Sequence, residues 1–206
     1  MNVARLLYPV FTLGPGRRVG IWLRGCDRGC KECSNPELWT VREECEIPVR
    51  DLIQVIRKLN AGHAVDGFTI TGGEPFRQAE ELSLLLSGLQ EFSRDILIYT
   101  GYTMEEILEQ GSPAMAECVR KAAVVVDGPY AAEKNEGTRM VGSSNQRVIL
   151  IRPEYEAAYR DYLSKGPLEV QNFVGLHGAY SIGIHRSDFA AGMIAHLNRR
   201  EDSDHE

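Results

Sequence analysis

The sequence predicts an α/β fold with a mainly parallel sheet, and three observations predict it. Short β-prone apolar runs alternate with amphipathic helical stretches along most of the chain. Chain length, 206 residues, suits one sizeable core and hence a single domain over 1–206. The residue clusters richest in chemistry directly follow strand candidates, and ligands of parallel sheets sit at the carboxyl ends of the strands.

The elements follow in order. Arg18 to Arg24 (RVGIWLR) is apolar and β-prone and ends at Gly25, which predicts a strand running into a cysteine-rich loop. Pro48 opens a helix whose Val49, Leu52, Ile53, Ile56 and Leu59 share one face, with Gly62 near its end. Phe68 to Thr71 is a short strand broken by Gly72 and Gly73. Gln78 to Phe92 is an amphipathic helix carrying Leu82, Leu85, Leu86 and Leu89. Ile96 to Tyr99 is a strand turned by Thr100-Gly101. Met104 to Glu109 and Ala114 to Lys121 read as short helices, and Ala123 to Val126 as a buried strand ending at Asp127-Gly128. From Pro129 to Asn145 the chain is polar and aperiodic, as in a functional loop or flap. Gln146 to Ile151 is a strand and Glu154 to Leu163 a helix. Val170 to Phe173 and Tyr180 to Ile184 are weaker strands, and Ser187 to Leu197 a closing helix. The charged end, 199–206, is expected to be disordered, which leaves a core of about 7–185.

Composition narrows the function classes. Hydrophobic residues at 43% and charged residues at 25% match an ordinary soluble protein. A net charge of −6 gives no electrostatic reason to expect nucleic acid as a partner. No window approaches an uninterrupted apolar stretch of about 18 residues, so a membrane span is not expected. The N-terminal apolar patch turns quickly to Gly14-Pro15-Gly16 and lacks a small-residue cleavage site, unlike a signal peptide. Five cysteines, an odd number, argue against a disulfide framework and for a reduced, cytoplasmic setting.

Cys26, Cys30 and Cys33 lie within eight residues. Thiolates are soft ligands for zinc, copper(I) or iron–sulfur centres. Gly25 and Gly29 let so tight a loop bend around one small object. A structural zinc site closes with four ligands, yet Cys45 and His63 are the next candidates and both are distant in sequence. Three thiolates on a four-iron cluster leave one iron open to substrate. That count favours chemistry, while a zinc site completed by Cys45 or a distant His, or a ferredoxin-like electron-transfer cluster, remains open on the residues alone. Cys45 and Cys118 read as plain thiols. Thr71-Gly72-Gly73-Glu74-Pro75 ends a strand with paired glycines that admit close approach of a ligand, followed by a carboxylate able to accept from an ammonium.

The spacing CxxxCxxC resembles the signature of the radical S-adenosylmethionine superfamily, and Gly72-Gly73-Glu74 resembles its GGE motif. The resemblance implies a partial (β/α)6-type barrel as the radical SAM core. It implies a [4Fe–4S] cluster on Cys26, Cys30 and Cys33, with S-adenosylmethionine chelating the fourth iron. Gly72, Gly73 and Glu74 would then hold the methionine amino group. The residue before the third cysteine is Glu32 rather than the usual aromatic, which would leave an adenine contact to backbone there. Arg24-Gly25-Cys26, Asn35 to Trp39, Asp127-Gly128-Pro129-Tyr130 and Gly142 to Arg147 (GSSNQR) resemble the activating proteins of anaerobic ribonucleotide reductase. That branch implies an activase placing a glycyl radical on a partner protein, fed by an electron donor such as a flavodoxin. Further cofactor contacts are expected from Thr100, Asp127, Ser144 and Asn145, with Tyr99, Tyr102 and His185 as weaker candidates. No acid–base catalytic residue is required. Without the resemblance, Ser143 to Arg147 would be read as an Asx-type turn starting a strand.

Overall fold

The structure, a computed structural model, describes residues 1–165, 170–175, 178–185 and 189. Six strands form one sheet in the order β1 (Val3–Val10), β2 (Arg18–Leu23), β3 (Gly67–Gly72), β4 (Ile96–Tyr99), β5 (Val124–Asp127) and β6 (Arg147–Leu150). The middle four run parallel, whereas β1 and β6 are antiparallel edges. Space therefore follows sequence, and each parallel step crosses through helices: α1 (Val49–Gly62), then α2 (Ala79–Leu89), then α3 (Met104–Gln110) with α4 (Pro113–Lys121). Crossovers of one hand taken in one direction deposit every helix on the same face. The core agrees: Leu52, Ile56, Leu82, Leu86, Ile107 and Met115 pack with Val19, Ile21, Phe68, Ile70, Ile98 and Val125.

Capping marks the short helices clearly. Thr103 and Glu106 form a capping box at the start of α3, left-handed Gly111 ends it, and the Ser112 hydroxyl accepts from Met115 N at the start of α4. Among the described residues no helix is long and apolar enough to cross a membrane.

The alternate residues of the strands face the other way: Arg18, Trp22, Thr69, Leu97, Val124 and Val126 are all buried. Two groups cover this inner face. Met140, Val141, Tyr159 and Tyr162 pack on Leu97, Val124 and Val126, the two tyrosines coming from α5 (Glu156–Ser164). Val10, Leu13 and Leu38 pack on Trp22 together with Ile182 of a hairpin, β7 (Gln171–Gly175) and β8 (Gly178–Ile182). The hairpin is stitched to the end of β1 and the segment after it: Gln171 Nε2 donates to Pro9 O (2.7 Å), Phe11 N donates to Gln171 Oε1 (3.0 Å), and Thr12 Oγ1 donates to Ile182 O (3.0 Å).

Most sequence-predicted elements occupy the expected spans, with three differences. The N-terminal apolar patch is the edge strand β1, for which no strand was expected. Both of its faces are half-buried, so it lacks the alternation that identifies a strand. The strand after the polar loop pairs antiparallel, because 128–146 contains no crossover helix to return the chain to the same end. The expected closing helix, Ser187 to Leu197, and the tail 199–206 lie outside the described residues apart from Phe189.

The amino-terminal end of the sheet is closed by a buried ion pair. Arg18, fully buried, meets Asp95 at 2.8 Å, and its remaining N–H groups reach Thr69 Oγ1, Pro15 O and Phe68 O. Tyr159 Oη donates to Asp95 Oδ1 at 2.6 Å, which ties α5 to the same carboxylate. Removing one partner strands the other charge away from water. Asp95→Ala is expected to lower unfolding free energy by about 3–5 kcal/mol in urea titrations, whereas Arg18→Met with Asp95→Leu should recover most of that loss. A loss below about 1 kcal/mol for Asp95→Ala, the size of an exposed pair, would contradict this account.

Candidate functional site

The site begins where β2 and β3 end. Gly72 adopts φ +111°, and a Cβ there would stand 2.4 Å from Leu23 O. A Cβ on Gly73 would stand 2.5 Å from Gly25 O. Only glycine allows the backbones to approach so closely. The contact is sealed by Gly73 N donating to Leu23 O (2.8 Å) and Glu74 N donating to Gly25 O (2.9 Å). The amide donors of this turn are thus spent within the chain, and its Glu74 carboxylate offers acceptors.

The cysteine loop is clipped at its base. Gly25 N donates to Leu38 O (2.8 Å) and Cys26 N to Trp39 O (3.0 Å). Arg24 Nη1 donates to both Glu37 O and Thr40 O at 3.0 Å, and Gln78 Nε2 donates to Arg24 O at 2.9 Å. Between these clips the backbone turns through the left-handed region three times, at Gly25 (φ +92°), Gly29 (φ +57°) and Glu32 (φ +56°). Glu32 bears a cost of roughly 1–2 kcal/mol there, which glycine would avoid. Asn35 N approaches Cys33 Sγ at 3.4 Å.

All three thiols open onto one cavity of about 180 Å³, which the carboxyl ends of β3, β4 and β5 also line. Glu74 is its buried anchor. Oε1 accepts from Phe76 N (3.0 Å) and Thr100 Oγ1 (2.9 Å), and Oε2 accepts from Gly101 N (2.8 Å). Burial outweighs these bonds and pushes the carboxyl up to about 6. A carboxylate has about four lone-pair sites, so one remains for an outside donor. Arg28 lies over the Tyr102 ring (4.6 Å) and contacts Glu106 (3.4 Å), which fixes one wall of the cavity. Burial also raises the Cys26 thiol above its ordinary value.

Of the residues singled out in the sequence, Cys26, Cys30, Cys33, Gly72, Gly73, Glu74 and Thr100 line this cavity. Glu32, Asp127, Ser144 and Asn145 do not. Asp127 is fully buried and engaged elsewhere: Oδ2 accepts from Met104 N (2.8 Å) and Oδ1 from Arg147 Nε (2.9 Å), joining β5 and β6 to the start of α3. Asn145 Nδ2 donates to Pro129 O (2.7 Å), bracing the polar loop. Ser144 is exposed, and Glu32 stands near Lys31 at the outer lip. Arg28, Tyr99, Gly101, Tyr130 and Gln146 line the cavity as well. Gln146 has a visible reason, since it crosslinks the rim: Oε1 accepts from Gly142 N (2.8 Å) and Nε2 donates to Gly128 O (3.0 Å). Tyr102 lies in the Arg28 wall, and His185 lines an adjoining compartment. Cys118 is buried and donates to Ala79 O, a structural position, with its thiol pushed up to about 12 by burial.

The donor set fits an iron–sulfur cluster. Among the described residues no group of three or more His, Cys, Asp or Glu side chains is compact enough to hold a single metal ion. The three thiols instead border a shared space, and thiolates are the ligands of iron–sulfur centres. A family model described as a 4Fe–4S single cluster domain matches residues 12–149, more than half of the chain. The class of the protein is therefore that of a single-cluster 4Fe–4S domain.

Curated relatives narrow the class. The anaerobic ribonucleoside-triphosphate reductase-activating protein of Enterobacteria phage T4 is 32% identical over 154 residues, covering 72% of this chain and 93% of its own length. The proteins of the same name from Escherichia coli K12 and Vibrio cholerae are each 29% identical, covering 70% and 68% of this chain and 96% and 92% of their own lengths. The chain belongs to the family of anaerobic ribonucleoside-triphosphate reductase-activating proteins. Among solved structures, QueE from Escherichia coli superposes on 61% of this chain and 70% of its own at 18% identity and a TM-score of 0.42.

The raised Glu74 carboxyl has a definite sign in stability. Its ordinary value is 4.5, so between pH 4.5 and about 6 the folded chain binds a proton that the unfolded chain releases. Stability from this group is present at the acid end of that window and is lost as pH rises through about 6. Relative to Glu74→Gln, the ligand-free wild type should gain about 1.5 kcal/mol on going from pH 7 to pH 4.5, read from paired thermal or urea transitions. A difference that stays flat with pH would show the carboxylate to be solvated.

Proposed function

We propose that this chain is a radical S-adenosylmethionine activase that installs a glycyl radical on an anaerobic ribonucleoside-triphosphate reductase. One observation carries the reading. Three thiols, with no fourth His or Cys among the described residues that line the cavity, face the acceptor-rich turn after β3 across one shared space. A [4Fe–4S] cluster held there by Cys26, Cys30 and Cys33 would supply the one-electron reduction that cleaves S-adenosylmethionine, the chemistry from which a glycyl radical on the partner would be made.

The chain's own residues have positioning roles. Cys26, Cys30 and Cys33 hold the cluster, and the clips at Arg24, Gly25 and Cys26 keep the loop over the sheet. Gly72, Gly73 and Glu74 present acceptors to the methionine ammonium, with Glu74 aimed by Thr100 and Gly101. Glu32, Ser144 and Asn145, away from the lining, act by shaping the lip and rim, and Asp127 acts by holding β5, β6 and α3 together. The sheet, with its crossover helices on one face, is read as the incomplete barrel of the radical SAM core, within a single domain over 1–206. A one-electron donor such as a flavodoxin is implied, in a cytoplasmic setting where thiols stay reduced. Membership of the activating-protein family supports the reductase as partner.

The test is anaerobic reconstitution with iron and sulfide, then dithionite and S-adenosylmethionine. The wild type is expected to bind about four irons per chain and to release 5′-deoxyadenosine. Cys26→Ala, Cys30→Ala and Cys33→Ala should each lose the cluster absorbance and the product, while Cys45→Ala and Cys118→Ala keep both. Normal product from Cys30→Ala would sink the assignment.

A further inference from the structure

A second compartment, of about 160 Å³, adjoins the cysteine cavity. The two share Ser34, Asn35, Thr71, Tyr99 and Ile184 as lining, so a group seated in the second is next to the contents of the first. Its far wall is the end of β8 and the residues after it. There Ser181 Oγ and His185 Nε2 are 2.9 Å apart, and Asn135 Nδ2 from the polar loop donates to His185 O at 2.8 Å. This wall lies outside residues 12–149, the part that matches the family model.

The chemistry of the lining selects an occupant. Among the described residues it contains no Asp, Glu, Lys or Arg. Burial lowers the His185 imidazole, so it is neutral at neutral pH. Apolar walls, Trp22 and Ile182 among them, alternate with uncharged hydrogen-bonding groups. A charged amino acid or a phosphate entering this space would lose its hydration without gaining a counter-charge. An uncharged peptide backbone brings one donor and one acceptor per residue, which the Ser181 hydroxyl and the His185 ring can satisfy.

The geometry points to a peptide seat: Ser181 and His185, beyond the family-matched core, hold the reductase's glycine-bearing backbone segment against the cysteine cavity. This rests on the activase reading above and names the surface by which the partner is positioned. The seat governs the target and leaves the cofactor contacts to Cys26–Cys33 and Gly72–Glu74.

The experiment uses the full chain loaded with iron and sulfide and its own reductase as probe. It reads glycyl radical by electron paramagnetic resonance and 5′-deoxyadenosine in the same samples. His185→Ala is expected to raise the KM for the reductase about tenfold and to lower glycyl radical formed per deoxyadenosine released. His185→Gln, which keeps a hydrogen-bonding group, should recover most of the ratio. Ser181→Ala makes a smaller structural change and should move both readings in the same direction, and Val174→Ser on the exposed side of the hairpin should move neither. Wild-type KM and ratio in both His185→Ala and Ser181→Ala overturn the seat. Failure of the wild type to cleave S-adenosylmethionine would instead overturn the activase reading beneath it.

Discussion

The contact between the Gly72-Gly73 turn and the Leu23–Gly25 backbone sets the rest of the site. Any side chain at either glycine would collide with a carbonyl oxygen of the neighbouring strand end. Because nothing intervenes, the first cysteine begins directly above the turn that carries Glu74, and two backbone hydrogen bonds hold that spacing. Glu74 then reaches the next strand end, at Thr100 and Gly101. Three strand ends become one floor through a single buried carboxylate and two residues without side chains.

The two ends of the sheet divide the work between stability and chemistry. At the amino-terminal end Arg18, Asp95 and Tyr159 satisfy one another in a closed, dry network. At the carboxyl end glycines, a partly unsatisfied carboxylate and free thiols leave acceptors and soft ligands facing a cavity. A sheet whose crossover helices all lie on one face makes this possible, since its inner face is left to loops, α5 and a hairpin. Those coverings are attached by hydrogen bonds from a few side chains, as Gln171 and Thr12 illustrate.

Much of this was legible in the sequence, for physical reasons. The parallel strands announce themselves because buried strands are continuous apolar runs, and the helices because their apolar faces repeat every three to four residues. The thiol trio and the paired glycines are visible because their chemistry depends on spacing alone. What the sequence hid depends on partners distant along the chain. Asp127 looks like a rim residue until Arg147 and Met104 are seen to occupy both of its oxygens. Arg28 carries no local signature, since its position is set by Tyr102 and Glu106, and the GSSNQR stretch marks Gln146 without revealing that it holds the Gly128 carbonyl. The strand β1 was hidden because an edge strand with two half-buried faces has no clean period.

The order of strands in space has a consequence for biosynthesis. β2 and β3 pair residue by residue from Arg18–Gly67 to Leu23–Gly72, and both the thiol loop and the carboxylate turn hang from their ends. Every backbone contact joining those two features lies within residues 23–74. During synthesis the thiol loop and the carboxylate turn therefore leave the ribosome together, ahead of the ends of β4 and β5 that complete the cavity around them. The two features that face each other across the cavity are thus neighbours in time as well as in space, while α5 and the hairpin, which cover the inner face, are the last parts to be made.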